Sequence, residues 1–146
     1  MLFVCHMYVS GTSPCLHARC HTCNYISSDT SVRGPQYSFV IKKAFSCQTS
    51  GLVYCISVRP AVYISKTERT LRQRFSAHLR SIEKNLPGFP VGEHFNTAGH
   101  SIDDALFRGM MLGVDNAQRK RLDMRLIFQL DTRQPRGFNY SDFRFL

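Results

Sequence analysis

The clearest periodic pattern in the chain is an apolar stripe that begins just after residue 70. Four apolar residues recur there at intervals of four, four and three positions, which is the spacing of one face of an α-helix. Thr67 is the predicted N-cap and Thr70 is the second choice, and the Pro- and Gly-containing residues 85–90 end the helix. The stripe is formed by Leu71, Phe75, Leu79 and Ile82.

Runs of β-branched and aromatic residues predict strands on either side of this helix. Residues 52–58 and 61–65 are separated only by an Arg-Pro pair, which is hairpin spacing. Residues 37–45 predict an earlier strand and residues 105–114 a later one.

Two further helices complete the pattern. Residues 90–101 form a short predicted helix that ends at Gly99, and Asn116 is the predicted cap of a last helix over residues 117–130. The order from residue 52 onward is β-β-α-α-β-α, which predicts an α+β layer sandwich. Residues 1–36 are rich in turn formers and read as a loop-rich segment containing cysteine and histidine, so the folded domain is assigned to residues 37–146.

Composition limits the class of protein. With 146 residues, 43% of them hydrophobic and 20% charged, the chain suits one packed domain. Its net charge of +9 favours a polyanionic partner, and DNA is the predicted one, although a merely basic surface would have the same charge. We expect no membrane partner, because no apolar run approaches the roughly 20 residues that a span requires.

The first residues indicate the expected compartment. They have no basic region, and their apolar run is interrupted by His6 and Ser10, so they do not resemble a secretory signal. We therefore expect an intracellular protein whose six cysteines are reduced and either buried or metal-bound.

Three cysteines near the start have the spacing of metal ligands. Cys15, Cys20 and Cys23 follow one another at intervals of five and three residues, and thiolates with close spacing of this kind can bind Zn²⁺. Inert, reduced thiols are the alternative interpretation. The candidate fourth ligands are His17, His21 and Cys47.

One carboxylate lies on the apolar stripe of the last predicted helix. Asp123 precedes three apolar residues by three, four and seven positions, so it shares their face. A carboxylate on a buried stripe is costly unless it is paired or binds a metal. The alternatives are a buried salt bridge to Arg74 or Arg119, or a helix rotated so that Asp123 is exposed.

Polar residues beside the first helix and in the hairpin are further candidates. Arg74 flanks the apolar stripe, and His78 is its neighbour four residues later. An arginine at the margin of a core can form a fork onto a phosphate, although most such arginines are solvated and most such histidines satisfy a core hydrogen bond. Tyr54 and Tyr63 occupy matching places in the two hairpin strands, where tyrosines are usually packing residues.

Taken in order, these blocks resemble the motifs of the GIY-YIG nuclease superfamily. The matching stretches are LVYCI, VYIS-K-T, L-R-Q-R-F-S-A-H, HFNTAGHS, RLDMRLIFQL and PRGFN. The chain is most similar to the endonuclease domain of Penelope-like retroelements, including the upstream cysteines, over roughly residues 15–146. The resemblance implies a small layer sandwich in which helices flank a three-stranded antiparallel sheet, preceded by a Cys-rich loop segment.

The resemblance also implies a function and assigns roles to residues. It implies a DNA endonuclease derived from a mobile element, which nicks phosphodiesters with Mg²⁺ or Mn²⁺ and acts in the nucleus. The implied roles are Tyr54 as the general base or water-orienting group, Tyr63 in the phosphate pocket, Arg74 on the scissile phosphate, His78 beside it, Asp123 on the divalent cation and Asn139 as an organiser of the site.

Several positions depart from the family pattern. Leu52 and Ser65 replace motif glycines, and a positive φ at Ser65 would cost about 1–2 kcal/mol. Asp123 is one methylene shorter than the usual glutamate, and a misplacement of about 1 Å can lower the rate on the order of 100-fold. The usual cysteine pair between the two motif strands is missing, which leaves His94 and His100 without those partners.

Two other interpretations remain open at this point. One is a catalytically impaired relic that only binds DNA through a basic face, and the other is a zinc-stabilised interaction module with no nucleic-acid role. The residues of the predicted basic face are Arg72, Arg74, Arg80, Arg119, Lys120, Arg121 and Arg125.

Overall fold

A computed structural model describes residues 9–141 of the chain. Its strands are β1 (Gly11–Ser13), β2 (Ser31–Arg33), β3 (Ser38–Val40), β4 (Ala44–Ser46), β5 (Ser50–Val58), β6 (Ala61–Thr70) and β7 (Leu106–Leu112). Its α-helices are α1 (Leu71–Glu83), α2 (Pro90–Ala98) and α3 (Asn116–Leu130). Among these described residues, no helix combines the length and the apolar character that crossing a bilayer requires.

The core of the fold is a three-stranded antiparallel sheet in the order β6-β5-β7. This sheet and the three helices confirm the predicted α+β class and the order of its elements. The central strand β5 is buried from Leu52 to Val58, because strands lie on both of its edges and side chains cover both of its faces. Tyr54 pairs with Ser65, and Cys55 pairs with Arg108. Since successive side chains alternate between faces, the first pair and the second lie on opposite faces of the sheet.

Short strands precede this sheet and split the strand predicted over residues 37–45. That prediction of a single strand was wrong, because its two ends pair with different partners. β3 pairs antiparallel with β2, whereas β4 pairs parallel with β1. Between them the backbone turns, and the amide of Ile41 donates to the carbonyl of Thr30.

The segment before β3 packs directly against the edge of the main sheet. The amide of Gly109 in β7 donates to Thr12 Oγ1 at 3.0 Å, and the amide of Ser27 donates to the Phe107 carbonyl at 3.2 Å. Tyr25 contacts Phe75 of α1 with ring centroids 4.9 Å apart. The division of the chain at residues 36 and 37 stays a prediction, and these contacts show that residues 9–36 share the core.

The start of α1 lies three residues later than the preferred prediction. Thr70 is the N-cap: its side chain accepts a hydrogen bond from the amide of Gln73, and the Gln73 side chain accepts one from the amide of Thr70, each at 3.1 Å. Thr67 is therefore wrong as the cap, and the second choice is confirmed. The reason is that β6 continues to Thr70, so Thr67 still belongs to a strand.

The other helix boundaries are close to their predictions. Gly99 ends α2 in the left-handed conformation, with φ of 70°, which confirms the predicted stop. The cap of α3 is Asp115 rather than Asn116, because the Asp115 side chain accepts a hydrogen bond from the amide of Gln118 at 2.8 Å.

Candidate active site and metal centre

Three of the predicted site residues form one hydrogen-bonded group on the face of the sheet that carries Tyr54 and Ser65. Tyr54 projects from β5, and its hydroxyl accepts a hydrogen bond from Arg74 Nε at 2.8 Å. The same hydroxyl lies 2.6 Å from His78 Nε2. Arg74 and His78 are four residues apart on α1, so the helix presents both to the same tyrosine. The structure thus brings together residues that lie up to 24 positions apart in the chain.

The pKa shifts indicate which residue donates the proton in the hydrogen bond between Tyr54 and His78. Burial lowers the pKa of His78 well below its usual value, and the positive charge of Arg74 lowers it further, so the imidazole is neutral. Burial raises the pKa of Tyr54, and Arg74 only partly opposes that effect, so the phenol keeps its proton. Because Arg74 can only donate, the Tyr54 hydroxyl donates its own proton to His78 Nε2.

Tyr63 adjoins this group from the neighbouring strand. Its ring meets His78 edge-on, with centroids 5.7 Å apart, and stacks on Phe138 at 5.4 Å. Burial raises the pKa of Tyr63, while Ser65 and Arg74 oppose that rise and the negative charge of Asp123 adds to it. Asp123 therefore lies within electrostatic range of Tyr63.

Asp123 is buried without a partner. Asp123 is 0% exposed, and neither oxygen of its carboxylate has a hydrogen-bond partner in the described part of the chain. Neither of the two ion pairs found in residues 9–141 involves Asp123, and Arg119 donates instead to the carbonyl of Gly113 at 2.9 Å. The alternatives of a salt bridge to Arg74 or Arg119, or of an exposed Asp123, are wrong.

Burial also changes the acidity of this carboxyl. It raises the pKa of Asp123 to about 7, and the positive charge of Lys66 opposes the rise. Such a carboxyl is half ionised near neutral pH, and it becomes fully ionised when a cation binds, since a cation favours the charged form.

Asn139 holds the backbone of β6 beside the site. Its Oδ1 accepts hydrogen bonds from the amide of Ile64 at 2.9 Å and from Thr132 Oγ1 at 2.7 Å, and its Nδ2 donates to the carbonyl of Ile64 at 2.8 Å. Ile64 lies between Tyr63 and Ser65, so this side chain positions both neighbours through the main chain.

Ser65 does not adopt the strained backbone that a glycine motif suggested. The positive φ values in the described chain occur elsewhere, and Ser65 pairs with Tyr54 in regular antiparallel register. The premise of a strained turn at Ser65 was therefore wrong.

We predict that Ser65→Gly lowers the stability of the protein instead of raising it. Glycine in a strand loses more conformational freedom on folding, which costs about 0.5–1 kcal/mol. The measurement is urea unfolding of both proteins under identical conditions. A higher free energy of unfolding for Ser65→Gly would contradict the regular strand conformation described above.

A second cluster consists of four thiols near the start of α1. The sulfurs of Cys15, Cys20, Cys23 and Cys47 all lie within 4.8 Å of one another. The Cys15–Cys23 and Cys23–Cys47 sulfur distances are 3.6 and 3.7 Å. These are far longer than a disulfide of about 2.05 Å, and they match the edge of roughly 3.8 Å expected for a tetrahedron with Zn–S bonds of about 2.3 Å. The cluster can therefore hold a metal ion such as Zn²⁺.

The structure selects one of the three candidate fourth ligands. Cys47 completes the cluster, whereas His17 and His21 are exposed and do not belong to it. Burial raises the pKa of the Cys23 thiol, but hydrogen bonds from the Leu16 backbone and with the other cysteines bring it down to about 7. A thiolate at that position is the form that binds a metal.

The cysteine cluster is connected to the start of α1. The amide of Arg72 donates to the carbonyl of Cys47 at 2.8 Å, and the amide of Leu71 donates to the carbonyl of Thr49 at 3.0 Å. These two bonds satisfy amides that the first turn of a helix otherwise leaves unpaired. The position of α1, and with it Arg74, thus depends on the loop that carries Cys47.

The structure also locates two histidines and one arginine that the sequence singled out. The His94 ring stacks on Phe138 with centroids 4.3 Å apart, and the centroid of the His100 ring lies 5.1 Å from that of His94. In residues 9–141 the four cysteines are the only group of three or more potential metal ligands, so these histidines form no such site. Arg119 is buried, so it was wrongly assigned to the basic face. The other arginines and lysines of that face, except the half-buried Arg74, are exposed; they are Arg72, Arg80, Lys120, Arg121 and Arg125.

Comparisons of the chain with protein-family models, with curated proteins and with solved structures find no match. The likeness to GIY-YIG nucleases therefore rests on the motifs quoted above.

Proposed function

We propose that the protein is a GIY-YIG-type endonuclease that hydrolyses a DNA phosphodiester at the group formed by Tyr54, Arg74 and His78. The observation that carries the proposal is the short hydrogen-bond chain from Arg74 through Tyr54 to His78. It combines a cation, a hydroxyl and a neutral base within one contact of each other. That is the set of groups that phosphodiester hydrolysis requires for binding, water activation and proton uptake.

Arg74 is suited to bind the scissile phosphate. It uses Nε to reach Tyr54, so the two terminal nitrogens, which form the fork onto phosphate oxygens, are not committed to that bond. Its guanidinium is half-buried, and partial exclusion of water strengthens its interaction with the charge that develops in the transition state.

Tyr54 and His78 are suited to move a proton. The raised pKa of Tyr54 makes a standing phenolate unfavourable. Its oxygen can instead accept a proton from the attacking water while its own proton passes to His78 Nε2, 2.6 Å away. The lowered pKa of His78 keeps that nitrogen free to accept.

Asp123 fits a divalent cation. Mg²⁺ is often held by one or two carboxylates, with phosphate oxygens and water as the remaining ligands, and neither oxygen of Asp123 has a hydrogen-bond partner among residues 9–141. When bound there, Mg²⁺ or Mn²⁺ would supply positive charge next to the leaving oxygen. We also infer that the four-cysteine cluster holds zinc as a structural ion.

One observation favours a second candidate function, a DNA-binding relic. Both Tyr54 and Asp123 are 0% exposed, so a chain that keeps these groups covered would bind DNA without cutting it. Its exposed arginines and lysines would still release counterions from the DNA backbone, and the affinity would fall as salt rises.

We predict that Arg74→Ala abolishes nicking of supercoiled plasmid in Mg²⁺ or Mn²⁺. Removing one preorganised charge-stabilising donor typically costs about 10²–10³-fold in rate. The matched control is Arg69→Ala, because Arg69 lies just before the same helix, is exposed and does not belong to the predicted basic face. That variant should cut at a rate close to wild type, and Tyr54→Phe should lose activity together with Arg74→Ala.

The same assay separates the two candidates. A folded wild type that binds plasmid in a salt-dependent way but does not nick it would favour the relic. Equal nicking by wild type and Arg74→Ala would exclude the proposed site. Absence of any salt-dependent DNA binding would exclude both candidates and favour a zinc-stabilised interaction module.

A further inference from the structure

A cavity of the described chain lies on the face of the sheet that is turned away from Tyr54. Ser57 and Arg108 line it, and both belong to the face opposite Tyr54 in the strand alternation. Its volume is about 1070 Å³, which is enough for a small-molecule ligand. The loop after α3 forms another wall, with Thr132 and Gly137.

A buried arginine that takes part in neither ion pair of the described residues lies at this cavity. Arg108 is only 6% exposed, and it donates to the carbonyls of Ser31 and Asp29 at 2.9 and 3.5 Å and to Ser57 Oγ at 3.3 Å. Its Nε has no hydrogen-bond partner in residues 9–141, and neither ion pair there includes it. Burial raises the pKa of its cross-strand neighbour Cys55, so that thiol stays neutral. A buried cation of this kind is costly unless an anion balances it.

The rim of the cavity adds positive charge. Arg59 pairs with Asp29 at 3.6 Å, and Arg136 pairs with Asp131 at 3.2 Å. Arg33 also lines the cavity and, like Arg108, takes part in neither ion pair of the described residues. Four arginines therefore face two aspartates, which leaves two positive charges. That excess equals the charge of a doubly ionised phosphate monoester.

Part of the remaining lining is apolar. It is formed by Pro35, Pro60, Ala61, Val62, Leu106 and Leu130. A ligand that fills this space needs an anionic end for the arginines and a flat or aliphatic body for these apolar residues. A nucleoside monophosphate has both parts.

We propose that this cavity is a second, non-catalytic binding site for a nucleoside phosphate group, held by Arg108 and Arg33. The ligand is either a free nucleotide or the phosphorylated end of a nucleic-acid strand, since the two share this chemistry. The site does not depend on the proposed nuclease activity, because the cavity and the Tyr54 group lie on opposite faces of the sheet.

The test is a calorimetric titration of the zinc-loaded, full-length chain with AMP, with adenosine as the matched ligand that lacks the phosphate. We expect adenosine to bind at least about tenfold more weakly, because hydrogen bonds to charged groups are the stronger ones. Arg108→Met removes the buried cation at similar size, and Arg33→Gln removes the rim cation from an exposed position. Both should weaken AMP binding about tenfold or more. If Arg108→Met does not fold, Arg33→Gln decides the matter.

Two control variants test whether AMP binds in this cavity. Arg69→Gln removes an exposed arginine that does not line the cavity, and Arg74→Ala removes the arginine of the opposite face. Neither should change AMP affinity. Loss of binding in Arg74→Ala but not in Arg33→Gln would put the phosphate at the Tyr54 group and overturn the proposal, as would equal loss in Arg69→Gln.

A second pair of ligands identifies the source of the phosphate group. A short 5′-phosphorylated oligonucleotide that binds about tenfold more tightly than its unphosphorylated copy, and loses this preference in Arg33→Gln, would indicate a strand end. AMP binding without that preference would indicate a free nucleotide. Failure of both AMP and the phosphorylated oligonucleotide to bind the folded wild type would overturn the proposal.

Discussion

Cys47→Ser is expected to release the zinc and to destabilise the whole domain. The four sulfurs lie within 4.8 Å of one another and can hold one metal ion, and structural zinc contributes on the order of 10 kcal/mol of apparent binding free energy in zinc-finger peptides. Losing one of four thiolate ligands should therefore lower the free energy of unfolding by several kcal/mol. The loss of stability should extend to α1, because the carbonyl of Cys47 accepts a hydrogen bond from the amide of Arg72.

The measurements for this variant are zinc per chain by elemental analysis and the thermal midpoint of unfolding. We expect one zinc ion in the wild type and much less in Cys47→Ser. The matched controls are His17→Ala and His21→Ala, which remove exposed side chains from the same segment and should leave zinc content unchanged. Full zinc content in Cys47→Ser, or none in the wild type, would show that the cysteines are reduced thiols without a structural ion.

Asp123→Asn is expected to stabilise the protein at pH 8 while abolishing any cleavage. The pKa of Asp123 is about 7 in the folded chain and 3.8 ordinarily. Because the folded value is the higher one, the stabilising contribution of the protonated carboxyl is present below about pH 4 and is lost as the pH rises through 7. The shift corresponds to about 4 kcal/mol as an order of magnitude. Asparagine is neutral at every pH and avoids this loss.

The measurement is urea unfolding of wild type and Asp123→Asn between pH 5 and pH 8 without added Mg²⁺. The free energy of unfolding of the wild type should fall relative to the variant across this range. His78 has a lowered pKa and destabilises both proteins as the pH falls below its ordinary value of 6.5, so its effect cancels in the difference.

A control variant and added Mg²⁺ test whether the pH dependence of stability comes from Asp123. Asp103→Asn removes an exposed carboxylate and should follow the wild-type pH dependence. Added Mg²⁺ should stabilise the wild type at pH 8 and not Asp123→Asn, because a ligand of the folded state raises its stability. Parallel curves for wild type and Asp123→Asn would mean that the carboxylate is paired, and the proposed cation site would then fail.

Local periodicity was sufficient to predict much of the scaffold. The stripe from Leu71 to Ile82 placed α1, the hairpin spacing placed β5 and β6, and Gly99 placed the end of α2. These features depend on contacts between residues a few positions apart, which a sequence displays directly. The ends of elements were harder to predict: Thr67 and Thr70 are both plausible caps, and the continued pairing of β6 with β5 decided between them.

The site was predicted only in part, because its geometry depends on contacts between residues that are distant in the chain. Motif order was enough to propose Tyr54, Arg74, His78 and Asp123, but neither the Tyr54–His78 hydrogen bond nor the absence of a partner for Asp123 can be derived from it. Arg108 was missed, although an arginine between apolar residues of a predicted strand is the signal that could have drawn attention to it.

By itself, the sequence determined the α+β class, the order of the main elements and three of the four cysteines of the thiol cluster. Tertiary structure alone decided that Cys47, and not His17 or His21, completes that cluster, and that Ser65 is unstrained. It also decided that Arg108 and Asp123 are buried and take part in neither ion pair of the described residues. The physical reason is that burial and pairing depend on neighbours from distant parts of the chain, whereas helix and strand patterns repeat within a few residues.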